Sequence, residues 1–451
     1  MMCVGGCFLA CRRLVGKVFV TFDFLGDGEW FEVPRQSVIG REAYPQKPND
    51  HAETISQPHP NKKTSHPPYI TPPKGVITIM KQCTARQLAT VYAGCFLGAG
   101  YVSGQELWQF FGVFGMDGVR GLLLSGVLQG LLCLVFVSLS RRRETLGVET
   151  LGVEEAVVRW ERRGWRTAVG TVQLILPVGT AVVMSAGVGA LTDQQLGGGG
   201  RAASALFVLA VGLTAMRGTE GLFRVFTRVV PLLTAAAMAI ALWTAVRCGD
   251  TLSSLPPATG RGSPILPHWT LSAASFVACN LFGSLAVLLP LSPLIPDLRT
   301  ARRGAVAGAA LVMLVACAIL FCLLAVPESV TCELPMLYLA GVLHPAAGRA
   351  FALLLLVAMF GAGLTGTVAA EAYLSGKYAF CARHRAAVIA ACSALSFGGG
   401  LFGFGDLIGW IYPIFGYVGI AALMLTVAHE RHLRCREKRR RRQVRGGENG
   451  T

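Results

Sequence analysis

Residues 92–111 read YAGCFLGAGYVSGQELWQFF. The stretch is long and apolar enough to enter a bilayer, yet its middle holds Gly98, Gly100, Ser103, Gly104, Gln105 and Glu106. Glycine costs about 1 kcal/mol relative to alanine inside a helix, and a carboxylate at membrane depth is more expensive still. Irregular backbone at that depth is tolerated only where it lines a cavity or is covered by protein. A helix that interrupts itself beside an acid therefore predicts a polar site inside the membrane, of the kind that transport requires.

The rest of the chain agrees. Of its 451 residues 53% are hydrophobic and 15% are charged, and the mean hydropathy is +0.53. A soluble protein carries about 25% charge, and long apolar runs recur here from residue 87 to 428, so the fold class is an all-α polytopic membrane protein. The formal net charge of +16 does not indicate nucleic-acid binding, because the basic residues sit in short loops and in the C-terminal tail. The 14 cysteines are scattered and many lie in apolar runs, where they read as small apolar residues rather than as a disulfide or metal framework.

Ten spans are expected, near 87–113, 117–139, 167–190, 203–216, 222–246, 271–294, 303–326, 348–375, 386–405 and 407–428. Alternate loops carry the positive charge: Arg141–Arg143 with Arg159–Arg166, then Arg217–Arg228, Arg299–Arg303, Lys377–Arg385 and the tail from Arg431 to Arg442. The opposite loops hold few basic residues, so both termini are expected in the cytoplasm of a multi-pass protein of the cell membrane, the inner membrane in a two-membrane cell. Residues 429–451 read as a basic cytoplasmic tail that anchors the topology and can meet anionic lipid. Val148–Trp165 reads as an interfacial helix. Residues 1–76 are expected to be a disordered tail, or to lie ahead of the true start, with Met80 as the alternative start; 78–428 form the membrane domain.

Five spans plus five divide the domain into repeats of about 87–246 and 271–428. Each opens on an unusual helix: the first span with its Gly98-Ala99-Gly100 break, and the sixth, SAASFVACNLFGSLAVLLPL at 272–291, with Asn280 and Gly283. Because five is odd, the halves would be inverted. Interrupted helices at matching places in inverted halves point to the binding site of a secondary transporter.

The same strings resemble a known family. GAGYVSGQELWQFFGVFG at 98–115, CNLFGSLAVLLPL at 279–291, EAYLSGKY at 371–378 and GFGDLIGWIYPIFGYVG at 403–419 are similar to the YkvI-type bacterial membrane proteins. The resemblance covers roughly 78–428. It implies a LeuT-like fold of the amino acid–polyamine–organocation superfamily, with a 5+5 inverted repeat and broken helices 1 and 6. It supplies no substrate. In LeuT-like relatives, first-helix carbonyls and eighth-helix hydroxyls form a sodium site, which here would draw on Thr365 and Thr367.

The candidate substrate-binding residues are Gly98, Ala99, Gly100, Ser103, Gln105, Glu106, Asn280 and Gly283. The breaks would offer backbone N–H and C=O groups. Glu106 either couples a proton, binds a cation, or pairs with another helix and holds the bundle together. Asn280 contacts substrate or makes a cross-helix bond. The candidate ion-coupling residues are Glu106, Thr365, Thr367 and Glu371, with Glu371 one helical turn beyond Thr367; an interaction of Glu371 with Lys377 would be out of ideal register. The loop 327–335, with Glu328 and Glu333, reads as part of an outer vestibule. Trp410 and Tyr412 read as interfacial anchors, and Pro413 as a kink. No nucleophile–base set, metal cluster or phosphate loop is legible, so neither an enzyme nor a cofactor is expected beyond Na+ or H+ as coupling ion. The function expected is symport of a small organic solute, an amino acid or amine. The alternative is a membrane sensor or structural protein that keeps the fold without transport.

Overall fold

The computed structural model describes residues 83–140, 163–217, 223–248, 263–288 and 294–448. The expectations for residues 1–76 and for most of the Val148–Trp165 helix fall outside these.

Every regular element among the described residues is helical. In chain order they are α1 Ala85–Phe96, α2 Ala99–Val102, α3 Gln105–Phe110, α4 Met116–Ser140, α5 Arg163–Leu196, α6 Gly200–Arg217 and α7 Phe223–Arg247. These are followed by α8 Trp269–Leu288, α9 Leu298–Ala325, α10 Pro335–Leu343, α11 Pro345–Lys377, α12 Ala379–Arg383, α13 Arg385–Gly400 and α14 Phe404–Glu448. Among the described residues seven helices are long and apolar enough to cross a membrane: α4, α5, α6, α7, α9, α11 and α14. The helix α13 is a shorter apolar helix. The chain is a multi-pass membrane protein. The last helix does not stop at residue 428; it continues without a break to Glu448.

The first span is divided where its glycines stand. Thr84 caps α1 in a reciprocal box with Gln87, satisfying two of the amides a helix start leaves open. The helix ends at Phe96, and Gly98 takes extended geometry (φ −78°, ψ 174°) as the cap of α2. After one turn the chain breaks again at Ser103–Gly104. Gly104 has φ +89°, a left-handed conformation that costs an ordinary L-residue roughly 1–2 kcal/mol.

The matching break in the sixth span is absent at the place expected. The helix α8 runs uninterrupted from Trp269 to Leu288, through Asn280 and Gly283. Asn280 donates its side-chain amide to the carbonyl of Phe276, 3.1 Å away, a bond along an intact helix.

Apolar side chains gain little by leaving lipid for another apolar surface, so close backbone approach and interhelical hydrogen bonds must supply the packing. Both are present. Gly304 and Gly308 of α9 bed Leu88 and Tyr92 of α1: a Cβ at either glycine would lie 2.8 and 2.7 Å from those side chains. Gly416 and Gly419 of α14 admit Ser275 and Ala278 of α8 in the same way. The short helices α2 and α3 are fixed by rings. Tyr101, Phe110 and Phe111 gather round Phe276 of α8 with centroids 4.9–6.0 Å apart, and the Ser272 hydroxyl donates to the terminal Phe110 carbonyl at 2.6 Å.

Candidate functional site

Glu106 lies two residues beyond the second break, with 3% of its surface exposed. Its Oε1 accepts a 2.7 Å hydrogen bond from the Asn280 amide. Around Gly100 two further side chains converge with Glu106. A Cβ built there would lie 3.5 Å from the Tyr412 hydroxyl, 3.8 Å from Glu106 Oε2 and 3.9 Å from the Met184 methyl. One short stretch of α2–α3 thus meets α8, α14 and α5 around a single carboxylate. No ion pair to Glu106 occurs among the described residues.

Sequence reasoning missed Tyr412 and Met184. Tyr412 is not the interfacial anchor it resembles; it turns inward beside Glu106. Trp410, two residues earlier on the same helix, is 49% exposed, as an anchor would be. The 100° step per helical residue separates these neighbours, and a helical projection of α14 would have divided them.

The backbone groups expected at the first break are largely in use. The Gly98 carbonyl accepts from Val102, the Ala99 carbonyl from Ser103 and the Gly100 carbonyl from the Ser103 hydroxyl at 2.8 Å. Ser103 therefore holds the break closed from inside, and its hydroxyl also accepts from the Gln105 amide. Gln105 is buried but diverges from Glu106: its Nε2 would lie 2.6 Å from a Cβ at Gly405 of α14, and its Oε1 has no hydrogen-bond partner among the described residues. Gly283 is exposed with nothing within 4 Å of a Cβ.

The ion-coupling candidates lie apart from Glu106 or are otherwise engaged. Thr367 donates to the Gly363 carbonyl at 2.9 Å and faces an apolar crevice between α5, α6, α11 and α13, lined by Ala181, Phe207 and Ser396 among others. Thr365 donates to Gly361 at 2.8 Å and is exposed. Glu371 does not pair with Lys377. Both of its oxygens are taken by Arg385, at 2.7 and 3.1 Å, and the Ser375 hydroxyl adds a 2.7 Å bond. The α12 turn folds Arg385 back onto α11, whereas Lys377 lies over the rings of Tyr373 and Tyr378. Among the described residues no three His, Cys, Asp or Glu side chains are grouped to hold a metal ion.

Glu333, expected only as vestibule lining, caps the last helix: its Oε2 accepts from the Phe404 amide at 2.8 Å. Burial, more than its carboxylate neighbours Asp406 and Asp193, raises its pKa above the ordinary value, against the lowering effect of the amides it caps.

No family model matches the chain. The membrane protein YkvI of Bacillus subtilis (strain 168) is 28% identical over 377 residues, 80% of this chain and 98% of that protein. Among solved structures, MhsT in complex with L-phenylalanine superposes with a TM-score of 0.53 at 17% identity, covering 76% of this chain and 89% of MhsT. A manganese transporter from Eremococcus coleocola aligns at 14% identity with a TM-score of 0.42, over 77% of this chain and 85% of that one. The likeness to MhsT is one of fold, a LeuT-like one, and by descent the chain is a homologue of the YkvI membrane protein.

Proposed function

We propose that this chain is a secondary transporter that moves a small organic amine, an amino acid in the first instance, by alternating access around Glu106. The observation that carries the reading is the buried Glu106 carboxylate, held by Asn280 and placed two residues beyond a break in the first span. An acid kept at membrane depth without a cationic partner is costly. A protonated amine or a coupling proton would offset that cost on binding.

The seven long helices, together with the divided first span, α8 and α13, make ten crossings in this reading. They form two inverted sets of five with both termini in the cytoplasm. Glu106 is the coupling carboxylate, and the neighbouring Gly100 and Asn280 contact the solute. Glu371, neutralised by Arg385, serves the bundle. MhsT, crystallised with L-phenylalanine, makes aromatic amino acids the first solutes to try.

The test is uptake into proteoliposomes under imposed Na+ and H+ gradients, with a panel of amino acids and amines. Accumulation that follows one gradient and is lost in Glu106→Gln is the expected result. Binding without accumulation by correctly inserted protein would overturn it in favour of a sensor.

A further inference from the structure

The connection between α9 and α11 is bonded to three other helical regions within four residues. Glu333 caps α14 at Phe404. Leu334 exchanges both of its backbone groups with the Gln194 side chain at the end of α5: Gln194 Nε2 donates to its carbonyl and its N–H donates to Gln194 Oε1, each at 3.2 Å. Met336 donates its N–H to the Ser103 carbonyl at 3.0 Å. Ser103 is the residue before Gly104, and a Cβ at Gly104 would lie 3.2 Å from Met336 Cγ. The strap is therefore keyed to the second break of the first span, beside Glu106.

Glu333 is the titratable member of this attachment. Glu333 Oε1 and Asp406 Oδ2 lie 3.1 and 3.3 Å from the same point, the position a Cβ would take on Gly403. Asp193, whose Oδ1 accepts from the Gly200 amide, is the third carboxylate acting on it. The other charged or titratable groups on the strap and the helix ends around it are Glu328, Cys332, Tyr338, His344, Arg349, Arg247, Cys248 and Arg201. None is an electrostatic partner of Glu333, and no ion pair neutralises Glu333 among the described residues. Ionised, Glu333 is repelled by Asp406 and Asp193 where the strap must dock. Protonated, Glu333 still accepts the Phe404 amide through one oxygen and can donate its own proton toward Asp406.

We propose that Glu333 is a proton-operated latch, whose protonation holds the strap on the Ser103–Gly104 break and whose ionisation releases it. The raised proton affinity of the docked carboxyl fixes the sign. A docked group that binds protons more readily than the free one is favoured as pH falls. Docking therefore weakens as pH rises from the ordinary glutamate value to the docked one, by at most about tenfold per pH unit for one proton. The inference does not depend on which solute is carried, or on transport at all.

Hydrogen exchange of the full chain in lipid nanodiscs, corrected for intrinsic rates and followed across pH, reads this directly. Protection of the Leu334 and Met336 amides is expected to fall as pH rises in the wild type. In Glu333→Gln it should stay high and flat. In Asp406→Asn, with one repelling charge removed, the proton affinity of the docked Glu333 falls toward the free value, so the loss should be smaller and end at lower pH. Amides within α5 supply the control for global unfolding. Protection independent of pH in the wild type would overturn the proposal, as would a pH response that persists in Glu333→Gln. If Glu333→Gln fails to fold, the wild-type profile and the Asp406→Asn shift still decide.

Discussion

The Asn280 side-chain amide donates to Glu106 Oε1 across 2.7 Å, joining residues 174 apart in the chain. One donor does not replace the hydration of a carboxylate, so the bond fastens α3 to α8 while leaving Glu106 short of partners. Its Oε2 faces the approach of Tyr412 and Gly100. The pair is both a structural bond and an unfinished binding site.

A double-mutant cycle separates these two roles. Asn280→Ala and Glu106→Gln should show a coupling in stability of about 0.6 kcal/mol, and no more than about 1.7, the range of interhelical hydrogen bonds within a membrane. Solute binding should fall far more in Glu106→Gln than this coupling accounts for. Unfolding in detergent together with binding to the same preparations is the measurement. A binding loss no larger than the stability loss would leave Glu106 a structural residue.

Tyr412→Phe removes one hydroxyl beside Glu106 and leaves the ring in place. Stability should change by less than about 1 kcal/mol, the net worth of an ordinary hydrogen bond. Solute affinity or its pH dependence should change measurably. The matched control is Trp410→Phe on the exposed face of the same helix, which should leave binding unchanged. Equal effects from both would return Tyr412 to the role of an anchor.

The first break was legible because Gly98, Gly100, Ser103, Gly104 and Glu106 cannot all be explained by an ordinary apolar helix. Which glycine bears the strain was not legible: Gly104 alone among them has positive φ, and that depends on Met336 and the strap arriving from a distant part of the chain. The break expected at Asn280 and Gly283 failed for a related reason. One asparagine and one glycine are tolerated in a helix whose neighbours supply contacts, and α8 has Phe110, Tyr101 and α14 against it. Glu371 was legible as a second acid within a span, but neither its burial nor its partner was. Arg385 lies 14 residues on, brought back by the turn at α12, and the nearby Lys377, six residues on, is out of register for a helical pair.

The glycines offer a sharp contrast in stability. A methyl at Gly416 would fall 1.8 Å from Ser275 Oγ and 2.7 Å from its backbone oxygen, so Gly416→Ala must push α14 and α8 apart. Overpacking of this kind costs about 1–3 kcal/mol. Gly130 has nothing within 4 Å of a Cβ, and Gly130→Ala should be neutral or gain up to about 1 kcal/mol from helix propensity. Melting temperatures of the two variants in the same detergent test this. A Gly416→Ala protein as stable as Gly130→Ala would show that the two helices do not pack as closely as described.

Glu371 and Arg385 are unequal partners: the carboxylate side chain is 5% exposed and the arginine 65%. Removing the arginine strands a buried charge, whereas removing the glutamate frees a wet one. Arg385→Ala should therefore destabilise the protein by about 1–3 kcal/mol, at the lower end because water reaches the arginine side of the pair. Adding Glu371→Gln to Arg385→Ala should recover part of that loss, since the neutral amide keeps its bond to Ser375 without an uncompensated charge. Arg385→Lys should lie between, because an ammonium keeps the charge but cannot reproduce the two-oxygen contact. Chemical denaturation of the three variants orders them. If the double variant were less stable than Arg385→Ala alone, burial of an unpaired Glu371 would not be the cause, and the packing of the arginine stem would take its place.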